Sequence, residues 1–173
     1  LLFKIGPKEA HSIDPQQRLL LQQVWETLED AGYTAELLNE NHEKVGVYVG
    51  VMWDDYKDVA YNYSIKKREF SSARHAIANR ISHVFNFQGP SLVIDTSCSS
   101  ALTAIHLACE SIKNGESSTA IVGGVNLILH PNHLEFLSDI NMISHDHKSC
   151  AFSENGTGWV PGEGVGCIII KPL

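Results

Sequence analysis

Leu21, Val24, Leu28 and Ala31 recur at three- and four-residue intervals, the spacing that gathers apolar side chains on one face of an α-helix. Start signals precede them: Asp14 as N-cap, Pro15 at the first helical position and Gln17 where a capping box places a glutamine. Gly32 stands where a left-handed residue ends such a helix. Between Val45 and Val51 every second residue is valine, which predicts a strand burying its valine face, with glycines on the other face allowing close approach. From Met52 to Ser72 the apolar rhythm fails. Trp53, Asp54, Asp55, Tyr56, Lys66, Lys67 and Arg68 read as a long excursion with one helical turn, either a functional loop or a solvated connector.

Ala76 to Ser82 predicts a short helix, followed by a turn at Gly89-Pro90. The helix after Cys98 carries Ala101, Leu102, Ala104, Ile105, Leu107, Ala108, Cys109 and Ile112. It is apolar on almost every face, as expected of a helix at the centre of its domain. Thr119 to Val125 and Val165 to Ile170 are continuous apolar runs, suited to a sheet covered on both faces. Strands of this kind alternating with helices imply a layered α/β fold.

Composition narrows the function classes. The 173 residues carry a formal charge of −7, which argues against nucleic acid, whose binding needs a basic face. No apolar run reaches the length of a membrane span and no signal-peptide succession opens the chain, so a cytoplasmic location is expected. The four cysteines, Cys98, Cys109, Cys150 and Cys167, show neither zinc-ligand spacing nor a disulfide framework. Cys109 and Cys167 read as structural. His145 and His147 flank Asp146, but no third ligand lies at a telling distance, so a surface loop is favoured over a metal site.

The candidate chemistry sits in Ser91-Leu92-Val93-Ile94-Asp95-Thr96-Ser97-Cys98-Ser99-Ser100-Ala101-Leu102, a short strand breaking over small polar residues into an apolar helix. It reads as a nucleophile elbow. A cysteine in the first turn of that helix would feel the positive end of the dipole, which favours the attacking thiolate. Unpaired N–H groups at the same helix end could receive a developing oxyanion. His106 follows eight residues later. That is about 12 Å along a helix, too far for direct proton transfer, and it reads as a packed helix histidine.

Gly89 to Leu102 followed by His106-Leu107-Ala108-Cys109 resembles the active-site region of β-ketoacyl synthase (ketosynthase) domains in modular polyketide synthases. Upstream, Ile13 to Leu21 and Trp25 to Tyr33 match the same family; downstream, Gly123-Gly124-Val125-Asn126 and Pro161 to Gly166 do so in order. The resemblance implies a thiolase-like layered α-β-α-β-α fold, of which residues 1–173 would be the first half only. That half lacks the family's opening strand and the second half, which carries the catalytic histidines in His-Gly-Thr-Gly-Thr and Gly-His motifs. Asn155-Gly156-Thr157-Gly158 looks like the first of these but has no histidine.

By the same resemblance, Cys98 is the catalytic residue, taking an acyl chain from an acyl carrier protein before decarboxylative Claisen condensation with a malonyl-type extender. A non-elongating ketosynthase that only transfers acyl chains is the alternative, and a non-catalytic docking or structural half is a third reading. Substrates would travel on phosphopantetheine, with no cofactor bound by the domain. Partners would be the carrier protein, neighbouring polyketide synthase domains and a second copy, with Ser91 to Asp95 near the two-fold axis of a homodimer. The net negative charge is awkward for an acidic carrier protein. Met142, in Ile140 to Ser144, matches the stretch bordering the substrate channel and would help set substrate choice.

Two departures stand out. Where the family commonly reads Ser-x-Asp-Gly-Arg-Cys and a basic residue, this chain has Ser144-His145-Asp146-His147-Lys148-Ser149-Cys150, and Thr157 replaces a common aspartate. A left-handed turn is harder for His147 than for glycine, so a different local backbone is expected.

Overall fold

Alternation along Val45–Gly50 organises the molecule, because this strand is the centre of the sheet and its two faces meet different helices. The computed structural model describes residues 2–40, 44–62 and 73–173. In chain order its elements are α1 (Pro7–Ala10), α2 (Pro15–Asp30), α3 (Ala35–Glu40), β1 (Val45–Gly50), α4 (Tyr56–Asn62), α5 (His75–Phe85), β2 (Ser91–Ile94), α6 (Ser100–Lys113), β3 (Thr119–Asn126), α7 (Pro131–Asp139) and β4 (Gly164–Ile170). The strands form one sheet in the order β2-β1-β3-β4. β1 pairs in parallel with β2, Val47 opposite Ser91, and with β3, Val45 opposite Thr119. β4 runs antiparallel to β3, with Ala120 opposite Ile170.

Val45, Val47, Val49 and Val51 pack with Leu20, Leu21, Val24 and Leu28 of α2 and Ile77, Ile81 and Phe85 of α5. On the reverse face Tyr48 joins Ala104, Ala108, Ala120 and Val122 beneath α6. The result is a mixed α/β fold with a helical layer on each side of the sheet. The α2 boundaries follow the sequence signals: the Asp14 side chain accepts from the Gln16 N–H at 2.8 Å, and Gly32 takes φ +73° while the Tyr33 N–H reaches the Leu28 carbonyl.

Three expectations are corrected. α6 is buried only along Ser100, Ala104, Ala108 and Ser111, a stripe of small residues that lets it lie close on the sheet, while Leu102 is 72% exposed. Nothing among the described residues covers its other face. β4 is likewise not buried on both sides. Val165, Cys167 and Ile169 pack towards the α2 cluster, whereas Gly164, Gly166 and Ile168 are exposed, because β4 is the edge strand and α6 packs over β1, β3 and β2. The predicted excursion after Met52 contains α4, seven residues long, where one turn was expected. Lys66, Lys67 and Arg68 lie outside the described residues. Among the described residues no helix is long and apolar enough to cross a membrane.

Candidate active site

Five residues, Asp95 to Ser99, join the end of β2 to the start of α6, and Ser97 turns the corner at φ +57°. A left-handed serine is a strained conformation that persists only when its surroundings fix it. Here short polar side chains do so. The Asp95 Oδ1 accepts from the Ser97 N–H at 3.1 Å, and the Thr96 N–H donates to Ser100 Oγ at 2.9 Å. Ser100 Oγ donates to the Ser97 carbonyl at 2.6 Å, and Ser99 Oγ to the Thr96 carbonyl at 2.8 Å. The polar run Thr96-Ser97-Cys98-Ser99-Ser100 thus supplies the bonds that strand and helix leave unmade around the turn.

Cys98 is exposed at this elbow. It stands one position before the N-cap Ser99, not in the first turn of α6 as the sequence suggests. The helix is brought to it by two glycines. A Cβ at Gly50 would lie 2.6 Å from the Ala101 nitrogen, and one at Gly124 would lie 3.2 Å from the Ala101 Cβ. The glycine face of β1 therefore admits the start of α6 and sets where Cys98 stands.

Asp95 also pairs with Arg74 through its second oxygen, and Arg74 Nε donates to Asp54 Oδ2 at 3.3 Å. Asp54 in turn pairs with Lys57. Partial burial works against ionisation of Asp54, but the hydrogen bonds from Lys57 and Arg74 outweigh it and hold its carboxyl below the usual range. Arg74 thereby links the loop after β1 to the elbow.

A cleft of about 740 Å³ opens at Cys98, lined by Gly50, Met52, Trp53, Ala101, Asn126, Trp159 and Glu163 among others. Two motifs far apart in sequence meet at its rim. Asn126 Nδ2 donates to the Gly162 carbonyl at 2.9 Å, and the Ile128 N–H donates to Glu163 Oε1 at 2.7 Å. Cys167 also belongs to the cleft lining, but its side chain packs towards α2, and burial there pushes its thiol up to about 11, so it stays protonated near neutral pH. The reading of Cys167 as structural fits that environment.

Beside the cleft lies a cluster that spacing along the chain does not reveal. His133 Nδ1 is 2.8 Å from Asp55 Oδ2, both side chains being almost wholly buried, and the Trp53 ring stacks on His133 with centroids 3.8 Å apart. His133 lies on α7, which Pro131 at its first position announces; its N-cap is His130, whose Nδ1 accepts from the Asn132 N–H, an unusual cap for sequence reading to find.

The other singled-out residues are dispersed. His106 is exposed on α6 rather than packed, and His145 and His147 are exposed in the loop before Cys150. His147 adopts the left-handed conformation, φ +55°, that was expected to be difficult. Ser144 holds the turn by accepting from the Asp146 and Lys148 N–H groups at 3.3 Å each. Thr157 Oγ1 donates to Asp146 Oδ2 at 3.2 Å and lies 3.0 Å from Ser144 Oγ, so the departures at 147 and 157 are tied together. Met142 is 41% exposed and is not part of the cleft lining; its carbonyl accepts at 2.9 Å from the N–H of Trp159, which is.

Residues 1–173 match the family described as β-ketoacyl synthase, N-terminal domain, over their whole length. The chain belongs to this family. It is 46% identical over 178 residues to polyketide synthase PksL and 49% identical over 173 residues to polyketide synthase PksM, both of Bacillus subtilis, covering 99% and 100% of this chain. It spans 4% of the length of each. An oxazolomycin ketosynthase domain from Streptomyces albus superposes with a TM-score of 0.90 at 40% identity over 98% of this chain. The ketosynthase from module 6 of the Bacillus subtilis bacillaene synthase gives 0.87 at 40% identity over 99%. The chain covers 29% of each of these two structures. Over the part of those structures that it covers, the chain therefore has the thiolase-like α/β fold of polyketide synthase ketosynthases.

Proposed function

We propose that this chain is the nucleophile-bearing part of a ketosynthase that extends acyl chains held on carrier proteins. The observation that carries the reading is the exposed Cys98 on a strained elbow opening into a cleft of about 740 Å³. In the first step the Cys98 sulfur attacks the carbonyl carbon of an acyl-pantetheine thioester. The tetrahedral intermediate expels the carrier thiolate, which takes up a proton, and the acyl group is left on Cys98. In the second, a malonyl-type extender on a carrier protein loses carbon dioxide. The carbanion so formed attacks the Cys98 thioester, forming the carbon–carbon bond and releasing the cysteine thiolate. Histidines for that second step belong to the part of the ketosynthase outside residues 1–173.

In this reading the protein is cytoplasmic, binds no cofactor of its own, and works beside the other domains of a polyketide synthase. A second copy completes a homodimer through β2, an edge strand on which Leu92 is 46% exposed. Incubating the complete ketosynthase with an acyl-carrier-protein thioester and mapping the adduct by mass spectrometry tests the proposal. The acyl group is expected on Cys98; an adduct on Cys109 or Cys167 instead overturns it.

Met142 is assigned to substrate selection, supported by its backbone tie to Trp159 at the cleft. In the same loading assay, Met142→Ala is expected to favour α- or β-substituted acyl chains over linear ones, by about three- to tenfold in relative rate. An equal change for every substrate counts against it.

A further inference from the structure

Trp53 is fixed twice, by different partners. Its carbonyl accepts from Gln16 Nε2 at 3.0 Å, and the next residue, Asp54, is held by Arg74 and Lys57. These contacts hold the backbone. The ring is held separately: it stacks on His133 at 3.8 Å and 28°, with Phe136 edge-on at 5.7 Å. His133 is in turn fixed by Asp55. The Oδ2 of Asp55 accepts from the Leu129 N–H at 3.2 Å and lies 2.8 Å from His133 Nδ1, a contact in which an ionised carboxylate can only accept and the Nδ1–H tautomer donates. Such a hydrogen bond defines both the tautomer and the plane of the imidazole.

A polar pair this deeply buried is costly unless each partner is satisfied, and it needs a role beyond filling space. Its position supplies one, because Trp53 lines the cleft alongside Cys98 while His133 and Asp55 do not. We propose that Asp55 and His133 are positioning residues for substrate selection, locking the Trp53 ring as a rigid wall of the cleft that favours linear over branched acyl groups. An aromatic ring free to rotate would leave room for branches and grip a linear chain less well. The acyl class of the ligand rests on the function proposed above; the locking of Trp53 rests on the geometry alone.

The test separates the two. Binding of linear and α-methyl-branched acyl-pantetheine amides, which cannot react, is measured by calorimetry on the complete ketosynthase carrying Cys98→Ala, so that loading chemistry plays no part. Adding Asp55→Asn is expected to lower the linear-to-branched affinity ratio by about tenfold. Trp53→Ala, which leaves the buried pair intact, is expected to lower it as much. Asp55→Asn is then expected to change the ratio no further in the Trp53→Ala background, since it acts through that ring. His133→Gln, which keeps a donor but not the stacked ring, should behave as Asp55→Asn. Near-ultraviolet circular dichroism provides a second readout: the band lost in Trp53→Ala should weaken in Asp55→Asn. An unchanged ratio in Trp53→Ala overturns the proposal, as does a further drop on adding Asp55→Asn to it. If Asp55→Asn fails to fold, the ratio in Trp53→Ala and His133→Gln decides. Failure of Cys98 to load in the parent enzyme sinks the proposed activity and leaves these binding ratios as the judgement on the wall.

Discussion

Cys98→Ala in the complete ketosynthase is expected to abolish acyl loading while leaving stability within about 0.5 kcal/mol of the parent. The two halves of that expectation have different origins. Loading requires a sulfur nucleophile at the mouth of the cleft, and removing the group that forms the covalent intermediate leaves nothing to accept the acyl chain, a loss of at least about a thousandfold. Stability should be nearly unaffected because Cys98 is exposed and belongs to neither core cluster. The turn around it is held by Asp95, Thr96, Ser99 and Ser100, none of which bonds through the cysteine sulfur. The measurements are carrier-protein loading followed by intact-protein mass spectrometry, and denaturant unfolding. Loading that survives the substitution would place the nucleophile elsewhere. A large fall in stability would mean that the thiol packs in a way its exposure denies.

Much of this arrangement was legible in the residue pattern. The valine and glycine faces of Val45–Gly50 are what the alternation says they are, and α2 begins and ends on its signals, because both depend on local geometry and on one strong period. The elbow was legible for the same reason: a strand, five small or polar residues and a helix lie next to one another in the chain. What escaped depends on distance. Asp55 and His133 are 78 residues apart, and neither carries a spacing that announces the other. The burial of α6 and β4 was overestimated because apolar composition records what a surface is suited to touch, not which neighbour touches it. Leu102 and Ile168 are apolar and exposed, so their hydrophobicity matches faces that nothing among the described residues covers. The sequence places Cys98 inside the first turn, whereas it stands just before the N-cap, because the start of α6 is set by side-chain bonds rather than by periodicity.

The glycines under α6 give the second large effect. A methyl at Gly50 would meet backbone atoms, the Ala101 nitrogen at 2.6 Å, the Ser100 carbonyl carbon at 2.7 Å and the Ala101 Cα at 2.8 Å. Backbone cannot rotate away, so Gly50→Ala must push the start of α6 off the sheet, at a cost of about 1–3 kcal/mol or more. The displaced segment carries Cys98 two residues upstream of Ser100, so loading is expected to fall about a hundredfold even in the fraction that stays folded. Gly124→Ala differs in kind. Its nearest neighbour is the Ala101 side-chain methyl at 3.2 Å, which a small adjustment relieves. Combining each change with Ala101→Gly distinguishes the two contacts. Removing the Ala101 methyl should recover most of the loss caused by Gly124→Ala, and almost none of that caused by Gly50→Ala, once the intrinsic cost of glycine in a helix, about 1 kcal/mol, is subtracted. Gly6→Ala, where a methyl meets nothing within 4 Å, serves as the control and should leave both stability and loading unchanged. Equal rescue of both variants by Ala101→Gly would show that the helix start yields as a side chain does, and that the close approach of α6 to β1 does not set the position of Cys98.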